Sequence, residues 1–479
     1  MSNRDSWQSP LSGRYASPEM KAIFSDNRKF STWRRLWVSL AKAEQKLGLN
    51  ITDEQIAEMQ AYVNDINFEV AEAREREVRH DVMSHVHAFG QQATSAAGII
   101  HLGATSCYVT DNTDILNIRD GLLLIEKQLL GVMKLLADSA NAHKNIPCLG
   151  YTHYQPATPI TVGRREAMWL QAFESCYWEL DFVISELKFL GCRGATGSSS
   201  TFMDLFEGNE EKVKELDQLI AEDFGFCAVY PISGQTYPRY LDMQVTNCLA
   251  RICAAAYRMA QDIRLLQHDD EIREPFEKKQ IGSSAMAYKR NPMRSERICS
   301  LARQVINAAR NTADTSCTQF LEHTLDDSAN RRSSLPETFL GTDAVLILCS
   351  NVVDGLVIYE KIIEKRLKEE LPFMSTELII MEAAKKGGDR QELHEHIRKH
   401  SMTATNRIKM EGLDNNLLQL IADDPIFGMT MQELEAICDP MKLCGRSAGQ
   451  VKDYLKEVIY PILTFNKDLL TCINKEVNV

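Results

Sequence analysis

Between Gln280 and Pro292 the chain carries Gly282, Ser283, Ser284, Lys289 and Asn291. Gly282 ahead of two hydroxyl residues gives a backbone free to curl, and Pro292 suits the first turn of a following helix. Flexible backbone donors, two hydroxyls and one fixed positive charge could hold a carboxylate and steady a growing negative charge. On spacing alone the stretch is either an anion-binding loop or an ordinary solvated connector. Two other stretches share its character. One runs over residues 103–114, with Gly103, Thr105 and Ser106 followed by Asp111, Asn112, Thr113 and Asp114. The other runs over residues 150–163, where His153 sits among hydroxyl and amide side chains ahead of Pro156. That setting suits general acid–base work, although the loop read alone fits a surface or capping histidine equally well. Arg79, His80 and Asp81 lead toward the first of these loops and read as polar site-lining residues. His80, His85 and His87 fall within eight residues, but their i, i+5, i+7 spacing does not align them on one helix face, which argues against a metal. A glycine-rich phosphate cradle, a nucleophile elbow and a dinucleotide fingerprint are all absent from the sequence. The expected chemistry is proton transfer and charge stabilisation, with no cofactor and no metal.

Long helices must position these loops. Ile115, Ile118, Leu122, Ile125, Leu129, Val132 and Leu136 alternate steps of three and four, a heptad seam. With Asp111–Asp114 read as its acidic start, this helix would run to His143 and span roughly 45–50 Å. A second seam comprises Trp169, Phe173, Cys176, Leu180, Val183, Leu187 and Leu190. A third comprises Leu241, Val245, Cys248, Ile252, Ala256, Met259, Ile263 and Leu266. Residues 293–320 and 336–366 carry similar periodicity, and hairpin signals are few. The expected fold is all-α, an elongated bundle of five long helices whose surplus apolar positions invite association between subunits. Three helical domains are expected: residues 1–105, a central bundle over 106–358, and a smaller unit over 359–479 in which Pro372, Gly387, Gly388, Pro425 and Pro440 act as breakers. Thr52 with Gln55 three residues on reads as a capping box, and residues 72–79 as a solvated helix face.

The chain has 479 residues, 44% hydrophobic and 25% charged, with a net charge of -12. This is the balance of a soluble globular protein, and it argues against a nucleic-acid surface. The stretch Met1–Pro10 lacks an apolar signal core, and no run approaches membrane-spanning length. Thirteen scattered cysteines with no Cys-x-x-Cys pair read as free thiols of a reducing, cytoplasmic compartment.

Gly282, Ser283, Ser284, Ala285, Met286, Lys289, Asn291 and Pro292 together resemble the signature of the fumarase/aspartase superfamily, whose members eliminate fumarate across a Cα–Cβ bond. Tyr288 and Arg290 within it, and Met293–Arg297 after it, resemble the superfamily's purine-nucleotide branch. So do the stretches around Arg14–Tyr15, Arg79–Asp81, His101–Ser106, Thr152–Pro156 and Thr324–Arg332, which lie in register along nearly the whole chain. The resemblance implies release of fumarate from adenylosuccinate, leaving AMP, and from the succinyl-aminoimidazole carboxamide ribotide, leaving AICAR. It implies a homotetramer with a central helical core, in which loops from three subunits meet at each site. Carried over residue by residue, Ser283 is the base, His153 the general acid and Glu296 the carboxylate that orients it. His80 is a second imidazole. Lys289, Asn291, Thr105 and Ser106 balance the developing charge. Arg14, Tyr15, Arg79, Asp81, Gln235, Arg297, Ser328 and Arg332 hold the substrate, the arginines gripping its anionic groups. Two other readings fit the same fold: a sister lyase acting on argininosuccinate, and an inactive structural protein.

The chain departs from the branch pattern twice. Ala287 stands where proline is usual, which should loosen the loop by about 0.4–1 kcal/mol of extra disorder entropy. His323 stands where an arginine is common, and a neutral imidazole holds an anion less well. His323→Arg should therefore lower KM and leave kcat nearly unchanged in steady-state assays. An unchanged KM would remove His323 from the account of substrate affinity.

Overall fold

The computed structural model describes residues 5–471. Met1–Arg4, part of the polar N-terminal stretch, and residues 472–479 lie outside them. Twenty α-helices and four short strands make up the described chain, so the fold is all-α. Five helices carry it: α1 (Ser106–His143), α2 (Val162–Ser185), α3 (Tyr240–His268), α4 (Met293–Cys317) and α5 (Ser328–Asp354). Every seam residue expected from the sequence is buried, from Ile115 to Leu136 on α1 and from Leu241 to Leu266 on α3. Burying such stripes against one another is the main source of stability, roughly 1.5–3 kcal/mol for each fully buried large side chain. The second seam outruns its helix: α2 stops at Ser185, and Leu187 and Leu190 are buried in the segment beyond it.

Successive long helices run in opposite directions. Where α1 ends and α2 begins, His143 Nδ1 lies 3.0 Å from Glu166. At the other end of α1, the Asn112 side chain reaches across to accept from Leu190 N at 3.0 Å, beyond the end of α2. Trp169 of α2 donates to Asp262 near the end of α3 at 2.7 Å, and Arg294 at the start of α4 meets Asn351 near the end of α5 at 2.6 Å. One end of the bundle therefore gathers the starts of α1, α3 and α5 with the ends of α2 and α4. The other end gathers the reverse set.

The N-terminal residues pack along this frame. Trp33 and Trp37 of the Asp26–Lys46 helix are buried, and Tyr108 of α1 donates to Leu36 O at 2.8 Å. Asp343, deep in α5, accepts from Ser17 N at 2.6 Å, Ser17 Oγ at 3.0 Å and Gln128 Nε2 at 2.6 Å. Burial pushes its carboxyl pKa up while those bonds pull the other way. The capping box at Thr52 and Gln55 forms as expected. Beyond α5, Ile379, Leu393, Ile397, Leu417, Ile421, Phe427 and Leu434 form a separate small core. Val451, Leu455, Ile459 and Ile462 then return to the main one.

The structure departs from the expected elements in four further places. Helix α1 starts at Ser106, and Asp111, Asn112 and Thr113 are buried inside it. Their polar groups serve distant partners such as Arg239, 2.7 Å from Asp111, not a helix start. Residues 150–163 are a hairpin of β1 (Pro147–Thr152) and β2 (Gln155–Thr161), not an open loop. The stretch 336–366 is not one helix, because α5 ends at Asp354 and strand β4 (Val357–Ile358) pairs with β3 (Ile272–Arg273) before a new helix spans Glu360–Met374. Pro372 lies within that helix, two residues from its end, and does not break it earlier. No helix among the described residues is long and apolar enough to cross a membrane.

Candidate active site

At the end of the bundle where α1, α3 and α5 begin, buried charges lock the three helix starts together. Arg239 pairs with Asp111 at 2.7 Å and with Asp327. Arg331 pairs with Asp242 at 2.6 Å and with Asp114 at 2.9 Å. Burial alone would lower the Arg331 pKa, but Asp242, Tyr237 and Asp114 outweigh it and hold the guanidinium pKa above its ordinary value. Each arginine meets at least two carboxylates, so removing one arginine would strand buried charge at a cost of about 3–5 kcal/mol. This lattice fixes the places from which Ser106, Gln235, Ser328 and Arg332 project.

Just outside it, His80 caps the Asp81–Gln92 helix, its Nδ1 accepting from Met83 N at 3.3 Å. An accepting Nδ1 puts the proton of the neutral ring on Nε2, and Nε2 lies 3.4 Å from Ser106 Oγ. Arg79, in the left-handed conformation at φ 55°, closes the preceding helix and leaves its side chain exposed. Asp81 accepts from Val82 N at 2.7 Å and lies 3.5 Å from Arg332 Nη2. Thr105 precedes α1 without a side-chain capping bond, so the helix's first N–H groups and the Thr105 and Ser106 hydroxyls suit an anion. Gly103 lets the chain turn into α1 close against Leu205 and Phe202. It sits at φ 67°, where an added Cβ would meet Leu205 and Phe202 within 3 Å. Gln235 is held at both ends of its amide, by Cys107 Sγ at 3.3 Å and Ala195 O at 3.0 Å.

The opposite end carries the rest. Ser283 is half-buried, and its Oγ accepts from the backbone N–H groups of Ala285 at 3.3 Å and Met286 at 3.1 Å. Asn291 closes the loop by donating to Gly282 O at 3.1 Å, and Lys289 is exposed beside it. Glu296 falls in the first turn of α4. Arg297, on the same helix, places its guanidinium 5.3 Å from the centre of the Tyr15 ring, and Arg14 approaches the same ring at 5.9 Å. Arg297 Nη1 is buried without a hydrogen-bond partner among the described residues, a donor left over for an anion. His323 Nδ1, at the first end, is likewise buried and unpartnered.

His153 stands at this second end, at the tip of the hairpin. It and Tyr154 form a two-residue turn with φ of 51° and 57°, the pairing that a tight hairpin turn requires and that asparagine and glycine usually supply. Holding two larger side chains there costs on the order of 1–3 kcal/mol each and points to function. The hairpin is braced from below by Glu271, which accepts from Tyr151 Oη at 2.9 Å and pairs with Arg366 at 3.2 Å. A cleft of about 380 Å³ runs beneath it, lined by Tyr151, Tyr154, Arg165, Arg258, Asp262 and Asp269. Ser283 and Lys289 do not line it. No hydrogen bond among the described residues joins His153 to Glu296 or to Ser283.

The site residues therefore fall into two sets. His80, Asp81, Thr105, Ser106, Gln235, Ser328 and Arg332 share one end of the bundle. Arg14, Tyr15, His153, Ser283, Lys289, Asn291, Glu296 and Arg297 share the other. The 25 residues of α4 separate the two by about 37 Å at 1.5 Å per residue. Glu274 is a supporting residue that the sequence analysis missed. It is buried and accepts from Arg294 N, Ser295 N and Ser295 Oγ, each at 2.9 Å, so it caps α4 just behind the serine loop. Glu271 was missed for the same reason: nothing local marks a carboxylate whose partners lie far along the chain.

A family described as "Lyase" matches residues 13–307, and one described as "Adenylosuccinate lyase C-terminus" matches residues 372–454. The chain is 46% identical over 477 residues to the adenylosuccinate lyase of Schizosaccharomyces pombe, covering 98% of each chain. It is 47% identical over 476 residues to that of Saccharomyces cerevisiae, again covering 98% of each. In fold it is similar to a fumarate lyase from a Mesorhizobium species, with a TM-score of 0.79, 24% identity and coverage of 93% of this chain and 99% of that one. A 3-carboxy-cis,cis-muconate lactonizing enzyme from Pseudomonas putida matches with a TM-score of 0.81, 21% identity and coverage of 94% and 99%.

The serine loop offers a direct test of its geometry. A Cβ on Gly282 would meet the Lys289 carbonyl oxygen at 2.1 Å, so Gly282→Ala must push the two limbs of the loop apart. The expected result is a loss of about 10²-fold in kcat/KM, as for a 1 Å misplacement of reacting groups, with helical circular dichroism unchanged. Retained activity would show that the close approach of Gly282 and Lys289 does not matter.

Proposed function

From the premise that the chain belongs to the adenylosuccinate lyase family, we propose that it cleaves adenylosuccinate, and the corresponding succinyl-carboxamide ribotide, at sites that no single chain completes. Ser283 takes the proton from the carbon beside a carboxylate. The electron pair left behind spreads into that carboxylate as a dianion, then forms the double bond of fumarate as the carbon–nitrogen bond breaks. The nitrogen keeps the bonding pair and receives a proton from His153. The observation that carries these roles is the pair of backbone N–H groups already aimed at Ser283 Oγ. A serine is a useful base only where its alkoxide is stabilised, and two N–H donors in the loop that carries Lys289 favour that. Lys289 and Asn291, with Thr105 and Ser106 at the start of α1, balance the dianion. Arg14, Tyr15 and Arg297 grip an anionic group of the substrate, the free Nη1 of Arg297 completing the hold. Gln235, Ser328, Arg332, Arg79 and Asp81 position the remainder, with the Nε2–H of His80 as a second imidazole donor.

The placement of the two sets supports sites shared between chains. Ser106 and His80 lie a bundle's length from Ser283 in their own chain, so they serve the Ser283 of a neighbour running the other way. In a homotetramer, loops from three chains meet at each of four sites, with His153 brought to the Glu296 of another chain. The exposed Met168, Trp178 and Phe182 on α2 supply an apolar face for such association. The twelve described cysteines are all unpaired, which supports a reducing, cytoplasmic setting.

The test is fumarate release, followed by ultraviolet absorbance, with adenylosuccinate and argininosuccinate offered separately. Turnover of adenylosuccinate is expected, with kcat lowered about 10³-fold in Ser283→Ala and in His153→Ala and KM within a few-fold of the wild type. Release from argininosuccinate alone would move the chain to the sister lyases. Equal rates in wild type and Ser283→Ala would remove Ser283 as the base.

A further inference from the structure

Away from both ends of the bundle, the separate C-terminal core carries a cluster that the reaction does not use. His396 and His400 stand one turn apart on the Arg390–Glu411 helix, so their rings share a face. Asp424 lies in the turn after the Leu417–Ala422 helix. Its Oδ2 is 2.7 Å from His396 Nδ1 and 2.8 Å from His400 Nε2. The three ligand atoms all lie within 4.8 Å of one another. The far oxygen, Oδ1, accepts from Ile426 N at 3.1 Å and fixes the carboxylate plane. Phe427, buried, backs the His400 ring at 6.3 Å, and the neighbouring Leu393, Ile397 and Ile421 are buried. The cluster is thus rigid on its inner side, while the His396 side chain keeps 39% of its surface open to solvent.

We propose that His396, His400 and Asp424 bind a divalent transition-metal ion of the zinc class. Two imidazole nitrogens and one carboxylate oxygen are a three-ligand set that such ions accept, with solvent in the remaining position. Tetrahedral bonds of about 2.0–2.1 Å would set neighbouring ligand atoms about 3.3 Å apart. The two carboxylate–imidazole separations reach that by widening about half an ångström, and small torsions of the two imidazole side chains set the third. The ion takes the place of the ring protons now shared with Oδ2, and each neutral ring then carries its proton on its other nitrogen. The Oδ1 bond to Ile426 is the outer support that ligating carboxylates ordinarily have. The ion ties a long helix to the turn across the small core, and its role is structural.

The test uses the full chain, freed of metal by a chelator, and Co²⁺ and Zn²⁺ as the probes. Co²⁺ should bind at one ion per chain and give visible d–d absorption without the near-ultraviolet band of cysteine ligation. Zn²⁺ should raise the thermal midpoint of the full chain. Asp424→Asn keeps the side chain's shape but leaves one acceptor oxygen in place of two, so either the rings or Ile426 N loses its partner, and His400→Ala removes a ligand outright. Both should weaken Co²⁺ binding by at least about tenfold, with adenylosuccinate turnover unchanged as the measure of correct folding. A thiolate band, unchanged affinity in both variants, or no saturable binding would each overturn the proposal.

Discussion

Five antiparallel helices of 24 to 38 residues hold their two ends farther apart than any side chain reaches. The continuous buried seams of α1 and α3 hold the long helices together along their length. Every feature of the site answers to this separation. The serine loop, the hairpin and the Tyr15–Arg297 pair are finished structures at one end. His80, Ser106 and Gln235 are finished structures at the other. The set around Ser283 presents a buried donor with no acceptor of its own among the described residues, Arg297 Nη1. In the proposed assembly a second chain lying antiparallel to the first brings the sets together, and rotational symmetry makes as many sites as there are chains.

The two ends are held by different physics. At the start of α1, α3 and α5, two buried arginines and four carboxylates interlock. Such a network adds little net stability compared with apolar packing, but it fixes geometry because each broken pair strands a buried charge. At the other end, backbone groups do the work. Glu274 caps α4, Asn291 ties the loop to Gly282, and two N–H groups hold Ser283. In the proposed reaction, such a preorganised donor pair needs no rearrangement when charge develops on the serine oxygen, and this is where electrostatic catalysis gains most.

What the sequence reveals follows the range of the interaction concerned. The seams were legible because burial at steps of three and four is a local pattern, and the residues named from Ile115 to Leu136 are buried. The Thr52–Gln55 capping box was legible for the same reason. Asp111 and Asn112 misled, because the residue types that start helices are also those that make long-range hydrogen bonds. The hairpin under His153 was hidden by its turn, which uses His153 and Tyr154 in place of asparagine and glycine. The spacing of His396 and His400 is visible in the sequence, but Asp424 joins them only through folding. The chemistry of the loops was suggested by their residues and a family resemblance. Their division between opposite ends depends on helix direction, which no motif records.

The most direct measurement of that division is recovery of activity in hybrids of two impaired variants. Ser283→Ala and His80→Ala chains would be purified separately, dissociated, mixed in equal amounts and reassociated, and fumarate release measured. If the two residues of each site come from different chains, random reassociation restores both in about a quarter of the sites, and about a quarter of wild-type activity is expected. If both came from one chain, no site would be restored. Activity that stays at the level of the separate variants, in an assembly of native mass, would contradict the account.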